Sequence, residues 1–363
     1  MPAVLETNDK EELRFMKKTS IFLLLSMLLC SMLLVGCGGG DSSSGSKKAE
    51  GPAASTDNKL IIYTSMKDSL IRGIVDGFKK QNPGIEVDYQ SAGAGKLMAK
   101  IAAERQSGHI LADVIWTSEV PDFYNMKKEG MLETYKSQRI NEIVNPFKDY
   151  DGSFTAARLG TLGIAINTNK IKTPPTQWSD LLKPEYKGAF GIADPALSGT
   201  SYMSIALLEK KFGWEFFEKL RDNNARIGKG SGQVVDDTAS SELSGSLAVD
   251  YITNNKIEKG AKIALYYPPE LLVVPSPVAI FKGTQKLDAA QKFIDYLLGP
   301  EAQAMIAGEG TLPVRTDVAI PEKFHLPNPQ EAMERAIPID YSEALSTKEA
   351  TIKKFTAILK GVN

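Results

Sequence analysis

"YTSMKDSLIRGIVDGFKK" (Tyr63–Lys80) joins two periodicities within a few residues. The apolar run Leu60–Tyr63 reads as a strand, and Leu70, Ile71, Ile74, Val75 and Phe78 recur at the spacing of one helical face. Between them stand Thr64, Ser65, Met66, Lys67 and Asp68, so hydroxyls, a lysine and a fresh helix N-terminus share the tip of a strand. Such a tip suits a metal, an anion, or nothing beyond capping its own helix.

The same alternation continues outward. "IEVDYQ" is a strand, "GKLMAKIAAERQSG" a helix, "ADVIWTS" a strand, and "PDFYNMKKEG" a short helix with Pro121 near its start and Gly130 at its stop. Strands alternating with helices predict parallel βαβ units, whose ligands sit beyond the carboxyl ends of the strands. Gly160–Ile171 reads as a strand suited to crossing between lobes, and "GSLAVDYITNNK" as another strand, ending in Asp250-Tyr251. The proline-rich "LYYPPELLVVPSPVAIFKGT" reads as the return crossing. Two amphipathic helices follow in "LDAAQKFIDYLLGPEAQAMIAGEG", and "TKEATIKKFTAILKG" gives the last helix.

The chain has 363 residues, which points to two domains. A net charge of −1 gives no basic field for nucleic acid. Near the N-terminus, Lys17-Lys18 precede an apolar run from Ile21 to Val35, too short for the ~20 residues of a spanning helix but right for a secretory signal. The run ends in Leu34-Val35-Gly36-Cys37, which resembles the bacterial lipobox and implies lipidation at Cys37. Residues 1–15 carry Glu6, Asp9, Glu11 and Glu12, wrong for a signal, so translation is expected to begin at Met16 rather than Met1. Cys30 falls within the discarded run, which leaves no disulfide, and the Gly/Ser/Ala-rich stretch after Cys37 reads as a flexible tether.

Three stretches in order, "ADVIWTSEVPDFYNMKKEGML", "PPTQWSDLLKPEYKGAFGIADPALSGTS" and "AAQKFIDYLLGPEAQAMIAGEGTLPVR", resemble the extracellular solute-binding proteins of ABC importers. The likeness is to the cluster of ferric-iron, thiamine, phosphonate and sugar-phosphate binders. It implies an α/β, two-lobed periplasmic-binding-protein fold of type 2, each lobe a mostly parallel sheet flanked by helices, with the ligand in the interlobe cleft. The expected division is 1–57 for signal and tether, 58–158 plus 272–363 for lobe I, and 159–271 for lobe II. The implied protein is no enzyme and needs no cofactor. It is a monomer outside the cytoplasm, lipid-anchored to the membrane, that delivers a small solute to an ABC permease and its ATPase subunit by hinge closure.

The iron binders of that cluster use a His, a Glu and two adjacent tyrosines. Those positions fall here at Lys67, about Ser118, and Asp250-Tyr251, so one phenolate survives and an ammonium opposes the cation. Iron held by tyrosines alone, Tyr251 with Tyr202 or Tyr63, stays open. The replacements favour an anion, with no metal. Ser65 and Lys67, Ser91 and Gly93, Thr117 and Ser118, and Ser198-Gly199-Thr200-Ser201 each fall at a loop-to-helix junction that offers free N–H groups. Capping accounts for any one of them; convergence of four on one cleft does not follow from capping. The expected ligand is a small phosphate ester or phosphonate. Tyr251 lies beside Asp250, which either holds an ammonium or hydroxyl end of the ligand or bonds within its own lobe. Trp116, at a strand end, keeps a thiamine- or polyamine-type cation open as a third class.

Other chemistries lack their signatures. "AGAGKLM" places Leu97 where a phosphate loop needs a Mg²⁺-binding hydroxyl. His109 and His325, the two histidines, have no metal-ligand spacing, and no GxSxG elbow is present, so a phosphatase-type enzyme is the weakest alternative.

Overall fold

The computed structural model describes residues 59–361; the signal run, Cys37 and the tether lie outside the described residues. Strand β1 (Lys59–Thr64) ends where its apolar run ends. There Thr64 Oγ1 donates to the Trp116 carbonyl at 2.8 Å and accepts the Met66 N–H at 3.0 Å, which turns the chain. Helix α1 (Asp68–Gln81) starts at once and buries Leu70, Ile71, Ile74, Val75 and Phe78. Asp68 in its first turn and Lys79 and Lys80 in its last suit the helix dipole. Strand β2 (Glu86–Ser91), helix α2 (Ala94–Gln106), strand β3 (Val114–Trp116) and helix α3 (Val120–Lys128) follow in the expected order. β2 and β3 flank β1, both parallel to it.

Strand β4 (Thr155–Asn167) has thirteen residues, every one buried. It begins five residues before the expected Gly160, because the stretch from Thr155 pairs antiparallel with the return strand. The chain continues through β5 (Phe190–Ala193), α4 (Gly199–Phe212), α5 (Trp214–Asp222), β6 (Arg226–Gly228), α6 (Ser231–Ala239) and β7 (Gly245–Val249). Helix α7 (Asp250–Glu258) opens at the Asp250-Tyr251 pair, where the sequence reading has a strand end. Then come β8 (Ile263–Tyr266), β9 (Leu272–Ile280), α8 (Leu287–Leu297), α9 (Pro300–Gly308), α10 (Pro329–Arg335) and α11 (Tyr341–Lys360).

The sheet runs β2-β1-β3-β9-β4-β7-β5-β6, with β8 also on β4. The flanks are parallel, whereas the centre is antiparallel: β4 pairs with β9 over Thr155–Leu162 and with β7 over Leu162–Ile166. β4 therefore carries the chain from one side of the sheet to the other, and β9 returns it. The pairing slips by one residue between Ala156 and Arg158, opposite Pro277 and Ser276. Pro275 and Pro277 have no N–H to donate, so the ladder is weak there and a bulge can turn Arg158.

Helix α11 packs on both sides of the molecule. Its Phe355 meets Phe217 of α5 edge-on at 5.4 Å. Its Lys348 bonds Asp122 at 2.7 Å, pairs with Glu119, and lies over the Tyr202 ring of α4. Burial, then Asp122, pushes the Glu119 pKa from 4.5 up to about 7, and burial raises Asp122 too. Burial pulls Lys348 down, but the two carboxylates outweigh it and hold the ammonium. The folded protein thus keeps a proton that the unfolded chain releases above about pH 4.5. That contribution is complete below this pH and lost as pH rises through about 7. Thermal melts should show wild type losing stability between about pH 5 and 8 relative to Glu119→Gln. Parallel pH profiles for the two proteins would refute the retained proton.

Candidate functional site

A cavity of about 180 Å³ opens where the strand ends meet. Its wall takes Ser65 and Lys67 from the β1–α1 junction, Gly93, Ala94 and Lys96 from β2–α2, and Ser118 from β3–α3. Opposite these stand Leu197 to Thr200 at the start of α4, Lys229 to Ser231 at the start of α6, and Val249, Tyr251 and Ile252 at β7–α7. Arg158 of β4 completes it. This is the placement expected beyond the carboxyl ends of parallel strands.

Arg158 is 1% exposed. Its Nε donates to Ser276 Oγ at 3.2 Å, Nη2 to Ser118 Oγ at 3.3 Å, and Nη1 to Thr311 Oγ1 at 3.2 Å. Asp250 pairs with Nη1 at 3.5 Å, and the guanidinium lies 4.9 Å over the Tyr251 ring. Hydroxyls link the junctions to one another. Ser65 Oγ accepts the Ser118 N–H at 3.0 Å, Ser118 Oγ meets Ser276 Oγ at 2.9 Å, and Ser198 Oγ meets Ser231 Oγ at 2.8 Å. The Lys67 N–H donates to Tyr251 Oη at 3.0 Å, across the cleft.

The two walls touch through glycines. A Cβ on Gly93 would stand 2.3 Å from the Leu197 carbonyl oxygen, and one on Gly95 2.2 Å from that of Ala196. A Cβ on Gly199 would stand 2.5 Å from Glu119 Oε2. The start of α2 therefore seats directly on the turn before α4, with no side chain between them.

Of the residues singled out from sequence, Ser65, Lys67, Gly93, Ser118, Ser198, Gly199, Thr200 and Tyr251 line this one cavity. Four others do not. Ser91 Oγ donates to the Met66 carbonyl at 2.6 Å, Ser201 Oγ to that of Ala193, and Thr117 is buried. Asp250 is fully buried, and its carboxylate accepts the Thr161 N–H at 2.8 Å, the Tyr251 N–H at 2.7 Å and the hydroxyls of Thr161 and Thr311. Its bonds thus run inward, toward Arg158 and its own fold.

Sequence reasoning missed Arg158 and the Lys229-Gly230-Ser231 turn. The available signals were a lone arginine in the otherwise uncharged strand Thr155–Asn167, and "GKGSGQ" ahead of a helix. Tyr63 donates to Glu104 at 2.7 Å and Tyr202 to the Ala344 carbonyl, so neither joins Tyr251 at the cavity. Burial pushes the Tyr251 phenol pKa up. Among the described residues no group of three or more His, Cys, Asp or Glu could hold a metal. Trp116 is buried and does not line the cavity.

Residues 110–344 match the family described as bacterial extracellular solute-binding protein. A putative 2-aminoethylphosphonate-binding periplasmic protein of Salmonella typhimurium is 25% identical over 67% of this chain and 73% of its own length. The phosphoglycerate transport regulatory protein PgtC of the same species is 27% identical over 72% of this chain and 67% of its own. The periplasmic binding protein AfuA of Actinobacillus pleuropneumoniae, solved with fructose-6-phosphate, superposes with a TM-score of 0.69. It is 25% identical, over 83% of this chain and 98% of that one. Relatives named for spermidine/putrescine and for Fe(3+) lie at 26% and 24% identity.

Replacing Arg158 by Met strands the Asp250 carboxylate in the interior, and urea denaturation should show a loss of ~3–5 kcal/mol. Adding Asp250→Asn should recover more than half of that loss. Failure of the double variant to recover would deny the pair its structural role.

Proposed function

The chain belongs to the bacterial extracellular solute-binding proteins, the binding components of ABC importers, and we propose that it captures a small phosphate ester or phosphonate against Arg158. Members of this family are transport proteins rather than enzymes; they work outside the cytoplasm and present a small solute to a permease. In the proposed reading Cys37 carries the lipid anchor and the protein acts as a monomer. The lobes are 58–158 plus 272–363 and 159–271, and they close by flexing where β4 and β9 cross between them.

One observation carries the choice of ligand. Every charged side chain on the cavity wall is a cation, namely Lys67, Lys96, Arg158 and Lys229. The starts of α2, α4 and α6 add free N–H groups and the positive ends of three dipoles. A micromolar ligand needs ~8 kcal/mol, and each charge-assisted hydrogen bond supplies ~1.5–3 kcal/mol. Four to six donors to one phosphoryl group therefore suffice after association costs. The phosphonate and sugar-phosphate names among the relatives support this reading. Ferric iron fits the wall poorly: four cations oppose it, and the single phenol on the wall is held protonated by burial. A thiamine-like cation finds neither a carboxylate nor a Trp116 platform there.

Calorimetry of protein purified without refolding should give micromolar binding of a phosphate ester or phosphonate. Lys229→Ala should weaken it about tenfold or more, as loss of one charge-assisted bond requires. Tight Fe(III) uptake without heat from any phosphoryl compound would overturn the proposal.

A further inference from the structure

Resting on the phosphoryl reading, we propose that the ligand carries a second anionic group, a carboxylate or another phosphoryl, and no ammonium. The argument begins with which charges on the wall are already met. Asp250 sits behind Arg158 and compensates it. Lys67, Lys96 and Lys229 have no such partner: among the described residues, no hydrogen bond or ion pair engages their Nζ atoms. No aspartate or glutamate lines the cavity. A phosphoryl dianion offsets two of these three ammonium groups, and the third remains for another anion.

The position of Lys67 points the same way. Its Nζ lies 4.0 Å, and its Cε 3.8 Å, from where a Cβ on Gly232 would stand, in the first turn of α6. An ammonium thus faces the positive end of a helix, an arrangement that repels unless an anion comes between them. Lys67 also stands at the boundary with an adjoining cavity of about 400 Å³, to which Lys67 and Ile252 both contribute. A ligand longer than a bare phosphoryl group has room there. The acid lining that second space, Asp236, is already paired with Lys256. Glu119, behind Gly199, is occupied by Lys348. An ammonium at the far end of the ligand would meet like charges; Glu309, beside Ser69 and Asn255, lines neither cavity, and burial pushes its pKa up.

Calorimetry at low ionic strength with ethylphosphonate, phosphonoacetate and 2-aminoethylphosphonate tests this, since the three differ chiefly at the end away from phosphorus. Phosphonoacetate should bind about tenfold or more tighter than ethylphosphonate, and 2-aminoethylphosphonate about tenfold weaker. In Lys67→Met the advantage of phosphonoacetate should shrink to about threefold or less, with melting unchanged because Lys67 is exposed. If 2-aminoethylphosphonate binds as tightly as phosphonoacetate, or ethylphosphonate does, the second anion is wrong while the phosphoryl reading stands. If none of the three gives heat with protein that melts cooperatively, the phosphoryl reading fails and this inference falls with it.

Discussion

The buried pair of Arg158 and Asp250 is the contact on which the cleft depends. Both side chains are essentially without solvent, so neither charge is tolerable without the other. Satisfying them draws in Ser276 of β9, Ser118 before α3, Thr161 of β4 and Thr311 after α9. Strands and helices from both flanks of the sheet are thereby fixed around one guanidinium. The β4 bulge opposite Pro277 and Ser276 of β9 is the local device that lets a strand residue take this position. One arginine thus forms both the cavity floor and the centre of a hydrogen-bond network.

Around that floor, the helix starts show what the junction hydroxyls do. Ser198 caps α4, accepting the Ser201 N–H, as a bland reading of such serines requires. Ser65, Ser91 and Ser118 do not cap: the N-cap positions of α1, α2 and α3 are Lys67, Gly93 and Glu119, without side-chain cap bonds. Ser65 and Ser118 instead hold neighbouring junctions together. The first turns of α2 and α6 line the cavity, and glycines at 93 and 95 let the opposing backbones approach without a side chain between them.

Much of this was legible in the residues. The apolar face of α1, the stop at Gly130, the α8–α9 pair and the crossing character of β4 and β9 follow from local periodicity and punctuation, which each segment carries by itself. Eight candidate residues share one cavity because strand-to-helix junctions in parallel units end at the same edge of a sheet. Ser91 and Ser201 sit at the same junctions, yet their hydroxyls bond backbone carbonyls, since side-chain direction there depends on which carbonyl is within reach.

The sequence alone determined the alternating elements, the binding-protein resemblance and the positions of the helix starts, because all of these are local patterns. Only the tertiary structure decided that Asp250 faces inward to Arg158, and that Lys229 and Ser231 stand opposite Lys67. Those relations join residues far apart in the chain, and spacing along the sequence holds no record of a distance through space.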